Sequence, residues 1–249
     1  MSSQIVDRLA VHSFCFRSCT SNEQVIGALQ ECDAHAVELS RHHLNPLKEA
    51  EIRPGLKLYK DAGITVTTMG VVGVGDEQKA RRYFEFAKLA NFTTLPVEIP
   101  EGGHAVAEKL CAEYGITVGV HNHGRKDRYY GSVAALESLF SKSSSNIGLC
   151  LDTAWMLDSG EDPVEVAKKF KDRLYSLHIK DFVFDKTGKP SDAIVGEGNL
   201  KLDALNSFLM EINYQGTYTL EYEGDIDNPV PATKACVEAI RASFERVGS

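Results

Sequence analysis

The sequence predicts an α/β fold, a single (β/α)8 TIM barrel over residues 1–249, on three observations. Short apolar runs rich in β-branched residues alternate with longer stretches of helical period, the pattern of a parallel sheet buried on both faces. Eight such alternations can be read along the chain. A length of 249 residues matches one barrel of ordinary size.

The strands are read at Leu9–Phe14, Ala36–Leu39, Thr65–Val71, Thr94–Ile99, Thr117–Val120, Ile147–Leu151, Leu174–Ile179 and Thr217–Tyr222. Helices with recognisable ends lie between them, including Asn22–Glu31, Asp76–Ala90 with Asp76 as N-cap, and Asp162–Lys169 with Pro163 at the first helical position. Gly63 and Gly115 each close a helical pattern just before a strand, where a left-handed residue ends a helix. One stretch departs from the alternation. Phe182–Asn199, rich in Gly, Pro and Asp, reads as a long loop after the seventh strand, and a long loop in a compact barrel is usually functional.

Composition removes several classes of function. With 27 basic and 35 acidic side chains the net charge is −8, and no basic face is visible, so no nucleic-acid partner is expected. Cys15, Cys19, Cys32, Cys111, Cys150 and Cys236 are scattered without a CxxC pair and read as reduced thiols. Charge appears within the first eight residues and no long uncharged apolar run occurs, so a cytoplasmic protein with no membrane partner is expected. A homo-oligomer is left open. A chain of this size buries roughly 70–75% of its unfolded surface without help from a structural metal, so any metal would be functional.

In a (β/α)8 barrel, chemistry sits at the C-terminal strand ends. Here those ends carry Glu38, Glu98, His121-Asn122-His123-Gly124, Asp152-Thr153, His178-Ile179-Lys180-Asp181, and Glu221 with Glu223. Residues two apart share a strand face, so His121 with His123, His178 with Lys180, and Glu221 with Glu223 are each expected to point into the mouth together. Converging carboxylates repel unless a cation lies between them, and imidazole with carboxylate is a donor set suited to a divalent ion. Each residue alone has a plainer reading. A histidine at a strand end is commonly hydrogen-bonded structure, and Glu98 could pair with a neighbouring loop.

The segments Val37-Glu38-Leu39, Val120-His121-Asn122-His123-Gly124, Leu151-Asp152-Thr153, Leu177-His178-Ile179-Lys180-Asp181, Gly196-Glu197-Gly198 and Leu220-Glu221-Tyr222 resemble the sugar phosphate isomerase/epimerase superfamily, the xylose-isomerase-like barrels. The resemblance runs in order over essentially the whole chain and implies one divalent metal ion, Mn, Zn, Mg or Fe. Its epimerases hold the metal with Glu, Asp, His and Glu on strands five to eight. The last three carry over to Asp152, His178 and Glu221, whereas the first falls on His121, a departure that weakens the epimerase assignment. His-x-His at this place resembles the dehydratase branch and implies His123 as base. Trp155 stands where many relatives have His, so it forms a wall or stacks on a sugar face, or is simply a rim aromatic.

The resemblance thus implies a small carbohydrate substrate and a metal-dependent isomerase or epimerase working through a metal-bound enediolate, with His123 or Glu221 as base. Lys180 would neutralise an enolate, and Glu38, Glu98, Trp155 and Glu197 would contact substrate; Lys180 and Glu38 could equally form an internal ion pair. The alternative is a dehydratase or lyase on a keto-sugar or keto-cyclitol with His123 as base. A metal-free sugar-binding barrel and a repair endonuclease are further alternatives, the second opposed by the acidic charge. The run Arg125-Lys126-Asp127-Arg128 could bind phosphate or be a solvated face.

Overall fold

The computed structural model describes residues 3–127 and 129–248. Strands in chain order are β1 Leu9–His12, β2 Ala36–Leu39, β3 Thr65–Met69, β4 Val72–Gly73, β5 Thr94–Glu98, β6 Thr117–His121, β7 Ile147–Asp152, β8 Leu174–Ile179, β9 Asp181–Phe184, β10 Pro190–Ala193 and β11 Thr217–Leu220. Helices are α1 Ser3–Val6, α2 Asn22–Glu31, α3 Glu49–Asp61, α4 Glu77–Ala90, α5 His104–Tyr114, α6 Val133–Phe140, α7 Thr153–Asp158, α8 Pro163–Lys169, α9 Leu202–Glu211 and α10 Val230–Gly248.

Nine strands form one parallel sheet in the order β3-β2-β1-β11-β8-β7-β6-β5-β4. The expected third strand, Thr65–Val71, is divided: β3 pairs with β2, and β4, only three residues on, pairs with β5. The two ends of the sheet are therefore consecutive pieces of chain, and the sheet is a nearly closed barrel. Thr68 Oγ1 of β3 also donates to the Thr94 carbonyl of β5 at 2.6 Å.

Helix ends follow the side-chain chemistry expected of them. Asp76 accepts from the Lys79 amide and Asp162 from the Val164 amide, with Pro163 opening α8. Gly63 and Gly115 take φ of +74° and +67° after α3 and α5. A continuous apolar cluster joins strand residues such as Val37, Leu95 and Leu149 to helix residues such as Leu29, Phe84 and Ile240. Among the described residues no helix is long and apolar enough to cross a membrane.

The stretch expected as one loop, Phe182–Asn199, is instead partly a hairpin. β9 and β10 pair antiparallel from Asp181↔Ala193 to Phe184↔Pro190. The Asp185 carboxylate closes the turn by accepting from the Thr187 and Lys189 amides, at 2.7 and 3.0 Å. The following turn hangs on another carboxylate. Asp181 Oδ2 accepts from the Gly196 and Gly198 amides, and Oδ1 from those of Asn199 and Leu200, all within 2.8–3.0 Å.

Because one buried carboxylate serves four amides, Asp181→Ala should destabilise the protein by about 2–4 kcal/mol in urea denaturation. A change within about 0.5 kcal/mol would mean that the turn is held by something else.

Candidate metal centre and active site

The parallel register brings strand ends together in pairs. His12 lies beside Glu38 across β1 and β2, and Asp152 beside His178 across β7 and β8. Glu221 follows β11, and its amide still donates to the Ile179 carbonyl of β8 at 3.0 Å. His121, Asp152, His178 and Glu221 are all buried, and each offers one donor atom within 4.8 Å of the others.

Each carboxylate of this cluster commits one oxygen to the protein and turns the other inward. Asp152 Oδ1 caps α7 by accepting from the Trp155 amide at 2.8 Å, while Oδ2 is buried with no hydrogen-bond partner among the described residues. Glu221 Oε1 meets His12 Nδ1 at 2.7 Å, leaving Oε2 at 3.2 Å from His178 Nδ1. His178 Nδ1 is also 3.0 Å from His121 Nε2, which lies 3.7 Å from Asp152 Oδ2. On its far side His178 Nε2 meets Glu38 Oε1 at 3.0 Å. Two imidazoles and two carboxylates with inward-facing donors and an orphaned buried oxygen fit a divalent cation, and they leave its charge balanced. The carboxylate behind His178 is the outer partner that metal-ligating histidines commonly have.

The electrostatics reflect the crowding of acids and imidazoles. Burial pushes the Asp152 carboxyl up to about 7 against the pull of Lys180. Burial acts the same way on Glu221, but His178 and His12 outweigh it and hold that carboxylate well below its ordinary range. For His121, burial and the neighbouring His178 both lower the pKa, keeping the ring neutral. Burial would lower His12 too, yet Glu221 raises it. Geometry agrees, because the partners of His12, Glu221 Oε1 and the Gly70 carbonyl at 3.0 Å, are both acceptors, so both ring nitrogens carry hydrogen.

Spacer residues of the motifs hold the ligands in place. The Asn122 side chain bonds both the carbonyl and the amide of Asp152, at 3.0 and 2.9 Å, locking the ends of β6 and β7 together. Thr153 Oγ1 does the same for Lys180, donating to its carbonyl at 2.6 Å and accepting from its amide at 2.9 Å. Gly124 is required by close approach: a Cβ there would meet Asp158 Oδ2 at 2.5 Å and the Trp155 ring at 2.8 Å.

A cavity of about 510 Å³ opens over the cluster, bounded by His12, His121, His123, Trp155, Glu221 and Glu223 among others. His123 is exposed, with its ring centroid 4.5 Å from that of His121. Glu98 is exposed on the rim of a neighbouring cavity that also reaches His123 and Trp155. Three expectations need correction. Glu38 does not face sugar hydroxyls, since it is fully buried, with Oε2 accepting from Thr219 at 2.8 Å and Oε1 against His178. Glu197 lines a separate hollow with Leu202 and Arg246, because the Asp181 turn carries it away from the mouth. Lys180 lines neither cavity of the mouth. It is buried, its Nζ 2.9 Å from Glu223 Oε1 and within 5.6 Å of the Trp155 and Phe182 rings. Burial opposes its charge, but Glu221, Asp152 and Glu223 more than compensate and hold it cationic, so it is not a base.

His12 is the residue that the sequence reading missed. It sits inside what reads as one apolar strand, and only its place at a strand end could have drawn attention to it. In the basic run, Arg125 is engaged by Asp158 at 2.7 Å and by the Gly188 carbonyl at 2.6 Å. Arg128 lies outside the described residues.

Residues 101–243 match the family model described as xylose isomerase-like TIM barrel. Similar curated proteins include an inosose dehydratase of Clostridium botulinum, 27% identical over 139 residues, covering 49% of this chain and 46% of that protein. One from Bacillus thuringiensis is 27% identical over 163 residues, covering 58% and 53%. The chain thus spans about half the length of the curated relatives it matches. Among solved structures, a D-tagatose 3-epimerase-like protein has a TM-score of 0.76 at 16% identity, covering 97% of this chain and 98% of that one. The probable 3-DHS dehydratase of Bacillus anthracis gives 0.73 at 16%, covering 94% and 98%. These two likenesses show the fold.

Asp152→Asn, His178→Ala, Glu221→Gln and His121→Ala should each weaken Mn²⁺ binding in calorimetric titration with the circular dichroism spectrum kept. Glu38→Gln should weaken it about 10–100-fold through His178. Unchanged affinity in all five variants would remove the cluster as a metal site.

Proposed function

The chain belongs to the xylose isomerase-like TIM barrel family, and from that premise we propose that it is a divalent-metal-dependent dehydratase, a lyase acting on a cyclic β-hydroxy ketone of the keto-cyclitol or keto-sugar class. His121, Asp152, His178 and Glu221 would hold the ion. The observation that carries the reading is the pair His121 and His123, one in the cluster and the other exposed in the cavity beside it. The names of the inosose dehydratases support the same branch over the isomerase or epimerase outcome.

When bound, a divalent ion supplies Lewis acidity that polarises a ketone oxygen and acidifies the neighbouring C–H. The protein's own residues do the rest. His123 takes the proton α to the ketone, the C–H pair becomes the C=C bond as the C–O bond β to the ketone breaks, and the departing oxygen takes up the proton removed by His123 and leaves as water, giving an unsaturated ketone. Glu221 is an unsuitable base, because His12 and His178 occupy its oxygens and stabilise its charge. Lys180, fixed as a cation by Glu223, offsets the buried charge of Asp152 from outside the cavity and takes no part in the proton transfer. Trp155 forms one apolar wall.

Incubating the Mn²⁺-loaded protein with an inosose should yield a product lighter by one water, and His123→Gln should slow that reaction by about 10²–10⁴-fold with Mn²⁺ affinity kept. A product of unchanged formula that gains deuterium on carbon in D₂O would restore the isomerase reading.

A further inference from the structure

Glu38 is spent on His178 and Thr219 inside the barrel, so the hydroxyls of a ring held in the cavity over the cluster need another acceptor. Among the described residues lining that cavity of about 510 Å³, two are carboxylates, Glu221 and Glu223. Both oxygens of Glu221 are engaged, one by His12 and the other by His178. Glu223 differs. Its Oε1 lies 2.9 Å from Lys180 Nζ, whereas Oε2 receives no hydrogen bond from a described residue.

The backbone of Glu223 is tied on both sides. Its amide donates to Asp192 Oδ1 at 3.1 Å, and the Arg17 guanidinium donates to its carbonyl. Its side chain keeps 31% of its surface exposed, while that of Lys180 keeps 1%. The ammonium packs over the rings of Trp155 and Phe182, 5.6 and 5.5 Å from their centroids, with Asp192 Oδ1 farther off at 3.8 Å. A lysine enclosed in this way cannot swing out to water. It therefore fixes Oε1 and leaves Oε2 to the cavity, an acceptor whose ordering cost is met before any ligand arrives.

We infer that Glu223 recognises a hydroxyl of the ring bound in this cavity and that Lys180 is the positioning residue that orients it. The inference rests on the proposed function only in placing a hydroxylated ring there. An ionised carboxylate accepts hydrogen bonds and cannot donate them, so Glu223 selects for an O–H at one ring position and against a ring that lacks it. No bond to the substrate is made or broken by either residue.

The test uses the Mn²⁺-saturated protein with an inositol, a hydroxylated ring that has no ketone, titrated by calorimetry, and in parallel with an inosose followed for loss of water. Glu223→Gln keeps an oxygen for Lys180 but turns the free position from acceptor to donor. Inositol affinity should then fall about ten- to a hundredfold, the range of a hydrogen bond to a charged group. Among single deoxy-inositols, one should lose a similar factor on the wild-type protein and less than about twofold on Glu223→Gln, a coupling that a mere counterion would not create. Lys180→Met, apolar like the rings around it, should fold and lose the same discrimination. If Glu223→Gln binds inositol as wild type does, or each missing hydroxyl costs both proteins alike, Glu223 is only the counterion of Lys180. A wild-type protein that binds no inositol also overturns the assignment, and discrimination kept by Lys180→Met removes the positioning role. If inositol binding follows the expected pattern and the inosose is not dehydrated, the dehydratase reading falls and Glu223 keeps its role.

Discussion

Asp152 and Glu221 are buried close together at the mouth of the barrel, and taking two carboxylates out of water so near one another dictates how the surroundings are built. Glu38 adds a third buried carboxylate beneath them. The countercharges come from every side: His12 against Glu221, His178 between Glu221 and Glu38, the α7 N-terminus on Asp152, and the ammonium of Lys180. Asp152 is the least compensated, since one of its oxygens has no hydrogen-bond partner among the described residues, and that is where the cluster most clearly calls for a cation. Such an arrangement works only in one register. Because side chains alternate along a strand, a slip of one residue would turn each ligand away from the mouth.

Register is secured by the residues between the ligands. Asn122 ties β6 to β7, Thr153 ties β7 to β8, and Asp181 anchors the chain that leaves β8. These side chains are buried and engaged with backbone, so they cannot also contact substrate. The short motifs at the strand ends thus divide their work by position: one residue offers a donor atom to the centre, and the next fixes the strand that carries it.

This division explains what the sequence alone made legible. Seven of the eight expected strands and the helix ends could be read because apolar runs, N-caps and positive-φ glycines are local signals, whereas the division of the third strand depends on its partners at the two ends of the sheet. The ligand candidates could be read because polar residues terminate those runs. What escaped was set by partners far along the chain. Glu38 looks like any carboxylate ending a strand, and its true neighbour, His178, is 140 residues away. His12 is hidden in an apolar stretch, and its partner Glu221 lies 209 residues on. Glu197 was drawn toward the mouth by the loop it belongs to, whereas the four amide bonds to Asp181 decide where that loop goes. The hairpin within Phe182–Asn199 was obscured by the Gly, Pro and Asp content that its own turn requires.

The same logic changes the meaning of the basic run after β6. Arg125 holds three pieces of chain at once: its own loop, Asp158 at the end of α7, and the Gly188 carbonyl at the tip of the β9–β10 hairpin. Its partner Asp158 is largely covered, which sets this forked pair apart from an ordinary surface ion pair. Two residues upstream, the His123 amide donates to the Asp127 carboxylate, which also receives the amides of Tyr129 and Tyr130. Gly124 between them lets the loop lie against Trp155 and Asp158 without a clash. The exposed imidazole proposed as base is thus mounted on a loop clamped at both ends, and Arg125 and Asp127, two members of the charge run that suggested anion binding, hold that loop beside the cluster.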